Sequence, residues 1–157
     1  YADIEKKMAE HQCPAPTPQQ IFDWVCAIRR AKLPDPALIG NAGSFFKNPV
    51  VTPEQCRDII GRDPAIVHYP MADGSMKLAA GWMIDACGWK GKSIGRAGVY
   101  ERQALVLVNR GEARGADVVA LGFEAADPIS SSLNRLTTND LIWPTSAQSI
   151  SKRTKLL

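Results

Sequence analysis

Apolar residues recur at helical spacing after two nearly identical helix-start signals. Residues 17–20 read Thr-Pro-Gln-Gln and residues 52–55 read Thr-Pro-Glu-Gln. In each, the threonine side chain can accept a hydrogen bond from the backbone amide of the glutamine at N3. The glutamine side chain can accept one from the threonine backbone amide in turn. Proline is favoured in the first turn of a helix. The first signal is followed at helical spacing by Ile21, Val25 and Ile28. The pattern predicts one helix that stops at Leu33-Pro34 and a shorter one that Gly61 ends.

Short strand patterns occupy the middle of the chain. Residues 65–69 predict a strand that ends at Pro70, and residues 93–100 predict another. Residues 104–109 are almost wholly apolar, which is typical of a central strand. Residues 73–74 (Asp-Gly) predict a turn.

Two further helices are expected in the second half of the chain. An apolar stripe at residues 78–87 predicts a helix that Gly88 ends. Asp117 is expected to cap another helix, whose apolar pattern loses its continuation after Gly122. Helices and short strands in irregular order indicate the α+β class, with a single compact domain, rather than a regularly alternating sheet.

The domain organisation follows from where these patterns begin and end. Residues 1–16 are polar and are interpreted as a connector, and residues 17–121 as the folded domain. Residues 122–157 are rich in Ser, Thr and Asn and are expected to be a divergent, partly irregular tail. The sequence opens on Tyr1 rather than Met, so we expect it to start inside a longer protein.

Composition excludes several classes of function. Hydrophobic residues make up 45% and charged residues 22%, as in ordinary globular domains. The net charge is only +3 and the basic residues are scattered, which argues against nucleic-acid binding. No apolar run is long enough to predict a membrane span. Four cysteines without Cys-x-x-Cys spacing and only two histidines predict a reduced, cytoplasmic protein without a metal site.

Residues 40–49 are the segment whose composition best suits a binding site. They read Gly-Asn-Ala-Gly-Ser-Phe-Phe-Lys-Asn-Pro. Glycines permit backbone conformations closed to other residues and let a ligand approach the main chain. From the residues alone, a glycine turn that leads into an apolar strand is the simpler interpretation. The sequence contains no G-x-G-x-x-G, no phosphate-binding P-loop and no G-x-S-x-G.

The same ten residues resemble the signature of the UDP-N-acetylenolpyruvoylglucosamine reductase family. Further matches flank them in the family's order, at residues 17–20, 32–36, 69–74, 77–82 and 103–109. The similarity runs from about residue 14 to about residue 121.

The resemblance implies the substrate-binding part of a bacterial flavin enzyme of peptidoglycan biosynthesis. In that family NADPH reduces FAD, and hydride then passes to UDP-N-acetylglucosamine enolpyruvate, which becomes UDP-N-acetylmuramate. The resemblance also implies that FAD is held mainly by a separate FAD domain, which precedes this region in the family and is missing from the sequence. The chain alone is therefore expected to be inactive. A non-catalytic UDP-sugar-binding module and a non-functional fragment are the alternatives.

Site residues are implied by the resemblance position by position. Ser44 matches the proton donor, which must quench the carbanion that hydride addition leaves beside the carboxylate. The matching substrate-contacting residues are Lys32, Asn48, Tyr69, Gln103 and Tyr1. A lysine suits a diphosphate as a compact charge with rotatable donors, and a tyrosine can close over a nucleotide.

The family also ends in a Leu-Glu-Pro-Glu type strand whose glutamate assists catalysis. The acids of residues 123–157 are Glu124, Asp127 and Asp140, and none has that context. The glutamate is therefore assigned to no residue.

Overall fold

The structure is a computed structural model, and it describes residues 2–133 and 137–142. The chain divides into two compact units, Tyr1–Asp35 and Pro36–Leu157. The first unit contains helices α1 (Ala2–Glu10) and α2 (Pro18–Lys32).

The predicted capping box of α2 is confirmed. The Gln20 backbone amide donates to Thr17 Oγ1 at 3.3 Å, and the Thr17 amide donates to Gln20 Oε1 at 2.8 Å. The helix ends where expected, and the Leu33 amide donates to the Arg29 carbonyl at 2.8 Å. The second helix-start signal forms the same pair of hydrogen bonds, so both signals are capping boxes.

The segment interpreted as a polar connector contains a regular helix. In α1, Asp3 and Glu5 lie in the first turn and Lys7 in the last. Charges of those signs are stabilising at those helix ends because they oppose the helix dipole. The His11 ring stacks on the Trp24 ring with centroids 5.3 Å apart, which joins the end of α1 to α2.

The second unit is built from two antiparallel sheets and four helices within the part that the structure describes. Its strands are β1 (Asn41–Ser44), β2 (Val50–Val51), β3 (His68–Pro70), β4 (Met76–Leu78), β5 (Ser93–Ile94), β6 (Ala97–Tyr100) and β7 (Gln103–Asn109). Its helices are α3 (Pro53–Arg62), α4 (Ala80–Ala86), α5 (Gly115–Leu133) and α6 (Thr138–Leu141).

The larger sheet has the strand order β1-β7-β6-β5 and the smaller one the order β2-β4-β3. The predicted central position of the apolar strand is confirmed, since β7 lies between β1 and β6 and its Leu107 and Val108 are fully buried. The α+β class is confirmed as well. Helices α4 and α5 pack on β7, and this contact places the start of β7 beside α4.

Two strand and loop predictions were wrong. The expected strand at residues 93–100 is a hairpin of β5 and β6, because Gly95 reverses the chain with φ +57°. In the segment 40–49, the residues interpreted as a glycine turn form strand β1 of the larger sheet. The pairing partner of β1 lies some sixty residues further along the chain, which local patterns do not reveal.

The prediction for the helix after Gly122 was also wrong. Helix α5 continues to Leu133 and buries Leu121, Ala125 and Ile129, which lie at helical spacing on one face. Asp117 lies in the first turn of this helix, and its Oδ2 accepts the amide of Arg114, the residue directly before the helix, at 2.7 Å. Within the described ranges no helix is long and apolar enough to cross a membrane.

Candidate functional site

Ser44 follows a glycine bulge at the edge of the larger sheet. Asn41 pairs with Val108 and Ser44 with Val106, so β1 contains one residue more than its partner over this stretch. Gly43 has φ +64°, in the left-handed region that favours glycine, and its amide donates to Asn41 Oδ1 at 3.1 Å. The bulge explains why the sequence needs glycine directly before this serine.

The bulge leaves Ser44 exposed while the next two residues are buried. Phe45 is 6% exposed and Phe46 2%. The Phe45 amide donates to the Leu105 carbonyl at 2.8 Å, and Phe46 forms a bridge with Ile142. Ser44 therefore stands at the surface on a backbone that two buried aromatic rings hold in place.

Phe45 is fixed from the helix side as well. Its ring lies directly against Gly122 of α5: a Cβ added there would overlap Cε1 and come within 2.9 Å of Cζ. The sequence predictions marked Gly122 only as the place where the helical pattern weakens. A glycine inside a helical pattern can signal close packing, and here that signal locates a support of the serine segment.

Asn48 uses its side chain to cap a helix. Its Oδ1 accepts the Ala80 backbone amide at 3.0 Å. Residue Ala79, at the N-cap of α4, provides no side-chain hydrogen bond of its own. Asn48 therefore satisfies a helix-end donor from 32 residues away, and its amide group is the part that can donate to a ligand.

Gln103 lies beside the same first turn of α4. Its Oε1 would be 3.7 Å from a Cβ placed on Gly81, and Leu105 Cγ would be 3.3 Å from that atom. The Gln103 Oε1 also accepts the Leu105 amide at 3.4 Å. The structure thus brings two of the predicted site residues, Asn48 and Gln103, to one turn of one helix.

Tyr69 lies on the smaller sheet and is 48% exposed. It pairs across the strands with Lys77, whose Nζ lies 5.9 Å from the centre of the tyrosine ring. A cation at this distance is attracted to the ring face. Lys77, to which the sequence assigned no role, therefore belongs to the surroundings of Tyr69.

Lys32, the predicted diphosphate ligand, ends α2 in the first unit. Its Nζ lies 2.6 Å from Asp3 Oδ2, and the two side chains are 48% and 44% exposed. Tyr1 lies outside the described residues.

The three acidic residues after Gly122 lie in different environments. Glu124 and Asp127 are exposed on α5, and Asp140 Oδ2 accepts the Thr137 amide and hydroxyl at 2.7 and 2.8 Å. No group of three or more potential metal ligands occurs among the described residues, 2–133 and 137–142.

An open cleft lies between the β5–β6 turn and the start of α5. Its volume is about 470 Å³, and it is lined by Ile94, Gly95, Arg96, Glu112, Arg114, Asp117 and Ala120. Arg96 is paired with Glu112 at 2.6 Å. None of the predicted site residues lines this cleft.

Comparison with known proteins connects the chain to one family. Residues 35–135 match the family model described as UDP-N-acetylenolpyruvoylglucosamine reductase, C-terminal domain. The chain is 60% identical over 123 residues to the UDP-N-acetylenolpyruvoylglucosamine reductase of Paraburkholderia phymatum, which covers 77% of this chain and 36% of that protein. The reductase of Bordetella pertussis is 58% identical over 121 residues, covering 77% and 34%. The chain therefore spans about a third of the length of these curated relatives, and the family match extends past Gly122 through α5.

Proposed function

This chain belongs to the UDP-N-acetylenolpyruvoylglucosamine reductase family, and from that premise we propose that it is the substrate-binding and proton-donating part of a flavin-dependent reductase. The proposed reaction converts UDP-N-acetylglucosamine enolpyruvate to UDP-N-acetylmuramate with NADPH, in peptidoglycan synthesis. The other partner would be a FAD domain outside this chain.

The observation that carries the proposal is that Ser44 is exposed while the next two residues, Phe45 and Phe46, are buried. A proton donor must be open to substrate and yet be held in one place, because proton transfer requires hydrogen-bond geometry. Gly43 turns the serine outward, and Phe45 and Phe46 anchor the backbone beneath it. A serine in a flexible loop would meet the first requirement and fail the second.

The chemistry assigned to Ser44 completes a reduction. Addition of a hydride to the terminal alkene carbon leaves carbanion character on the carbon beside the carboxylate, and this charge spreads into the carboxylate as an enolate. The Ser44 hydroxyl gives its proton to that carbon and is left as an alkoxide, which regains a proton from solvent. Serine is a poor acid in water, so the step needs positive charge nearby. Lys47, three residues further on, or the backbone amides of this segment are the proposed source.

The described residues do not form a Rossmann-type site for the dinucleotide FAD. The sequence lacks a glycine-rich dinucleotide fingerprint, and the sheets in the described part are antiparallel rather than the parallel strand–helix units that bind dinucleotides. We therefore propose that residues outside this chain hold the flavin.

Substrate grip is proposed for the remaining residues. Lys32 would bind the diphosphate as a compact cation, and Tyr69 would cover the nucleotide with its exposed ring. Asn48 and Gln103, which lie beside the first turn of α4, would contact polar groups of the substrate. Tyr1 is proposed as a further contact on the resemblance alone.

Calorimetry on the full chain tests binding. We expect UDP-N-acetylglucosamine enolpyruvate to bind and FAD not to bind. The variant Ser44→Ala should bind the sugar nucleotide nearly as well as the wild type, because the serine acts on the carbon and not on the nucleotide. A wild-type chain that does not bind the sugar nucleotide would contradict the proposal.

Catalysis is tested by adding the flavin-binding part of a relative in trans. We expect NADPH oxidation that depends on the sugar nucleotide and on this chain together. Binding of the sugar nucleotide without any such oxidation would instead favour a non-catalytic UDP-sugar-binding module.

A further inference from the structure

The ammonium group of Lys32 already has an anionic partner within its own unit. Lys32 Nζ lies 2.6 Å from Asp3 Oδ2, which joins the last turn of α2 to the first turn of α1 across 29 residues of sequence. The pairs that Lys6 and Lys7 make with Glu10 are local, at spacings of four and three residues within α1. The Asp3–Lys32 pair is therefore a tertiary contact between two helices.

Because the Asp3–Lys32 pair is exposed, another anion can replace Asp3 as the partner of Lys32. Both side chains are close to half exposed, so water and salt screen their attraction, and exposed pairs of this kind contribute little free energy. A diphosphate carries more negative charge than a carboxylate and offers more acceptor oxygens, and charge-assisted hydrogen bonds to phosphate are strong. A diphosphate that reaches Lys32 should displace Asp3.

We propose that Asp3 is the resident counter-ion of Lys32, which the diphosphate of a uridine nucleotide displaces on binding. This inference rests on the proposed role of Lys32 in the substrate site. Asp3 is then a positioning residue: it holds the ammonium at the end of α2 in the free protein, and it competes with the ligand. Affinity for the diphosphate therefore depends on how much more strongly Lys32 interacts with the diphosphate than with Asp3.

The experiment measures UDP and uridine affinity of the full chain by calorimetry. The variant Asp3→Asn removes the carboxylate and keeps the size of the side chain. The matched control is Glu10→Gln, which makes the same change of net charge on the same helix but removes a partner of Lys7. The variant Lys32→Gln and the double variant Asp3→Asn with Lys32→Gln complete a cycle, which isolates the effect that passes through the lysine.

We expect Asp3→Asn to bind UDP about two- to five-fold more tightly than the wild type, the range that an exposed ion pair supplies. Uridine, which has no phosphate, should bind to both alike. Glu10→Gln should leave UDP affinity close to the wild-type value, and Asp3→Asn should have no effect once Lys32 is replaced.

Three results would overturn the inference while leaving the proposed function standing. These are equal UDP affinities for Asp3→Asn and Glu10→Gln, weaker binding by Asp3→Asn, or tightening that persists without Lys32. A wild-type chain that binds no UDP and no sugar nucleotide would refute the proposed function and this inference together.

Discussion

The ring of Phe45 lies against the backbone of Gly122, so closely that a side chain at residue 122 would overlap the ring. Phe45 directly follows Ser44, and Gly122 lies in the middle of α5. Helix α5 thus fixes the depth at which the serine segment sits on the larger sheet. Gly122, which lies 78 positions after Ser44 in the sequence, therefore supports the segment that carries the proposed proton donor.

Replacing Gly122 by alanine should destabilise the protein. The added methyl group must push the buried Phe45 ring away, and overpacking of this kind costs about 1–3 kcal/mol. The measurement is the free energy of unfolding in urea. The matched control is Gly61→Ala in α3, where a Cβ meets nothing within 4 Å. There alanine should leave stability unchanged or raise it by up to about 1 kcal/mol, since it is the better helix former.

A second change should rescue the first. Phe45→Leu creates room beside residue 122, so Gly122→Ala should cost less in that background than in the wild type. Equal costs in both backgrounds would show that the two residues do not interact in solution.

The two roles of Asn48 should separate by substitution. Asn48→Ala removes the acceptor for the Ala80 amide and should cost about 0.5–2 kcal/mol of unfolding free energy, as losing a helix cap does. Asn48→Asp keeps an acceptor oxygen and should retain most of the stability. Its negative charge should nevertheless weaken UDP-sugar binding, which calorimetry measures. A stable Asn48→Asp variant with undiminished binding would remove Asn48 from the proposed site.

The bulge before Ser44 should depend on the residue at position 43. With φ +64°, Gly43→Val forces a branched side chain into the left-handed region, at a cost of about 1–2 kcal/mol. Gly43→Asn should cost less, because asparagine tolerates that conformation. No side-chain clash complicates the comparison, since a Cβ at residue 43 meets nothing within 4 Å. Urea unfolding of both variants decides whether the conformation or some other property of glycine matters.

Local signals predicted the parts of the fold that depend on near neighbours. The capping box at Thr17 needs only residues three positions apart, and the sequence specifies it fully. The strand β7 was predicted because burial on both faces leaves a continuous apolar run. Contacts across long sequence separations carry no such local signature.

The features that were missed are contacts between distant segments and a helix end whose sequence does not resemble a helical pattern. The pairing of Ser44 with Val106 and the cap that Asn48 provides to Ala80 both join distant segments. The end of α5 was missed because the residues after Gly122 are rich in Ser, Thr and Asn and show no sustained apolar period. Its apolar face includes the small residue Ala125, and it is recognised as a buried face only in the folded structure.

Burial raises the pKa of the Cys56 thiol above its ordinary value of about 9. The folded state therefore favours the protonated thiol. Its contribution to stability is present below the pKa of the unfolded chain and is lost as pH rises through the higher folded value. The free energy of unfolding should fall above about pH 9, and less so in Cys56→Val. A thiol reagent at pH 8 should label Cys56 no faster than the protein opens, and fast labelling of Cys56 would contradict its burial.

The central claim is that Ser44 delivers the proton that completes the reduction. The most direct measurement is rapid kinetics on this chain combined with the flavin-binding part of a relative, comparing wild type with Ser44→Ala. Flavin reduction by NADPH should proceed at the same rate in both. Reoxidation by the enolpyruvyl sugar nucleotide should be lost in Ser44→Ala, although the nucleotide still binds and the chain unfolds at the same urea concentration. Reoxidation at the wild-type rate in Ser44→Ala would contradict the claim.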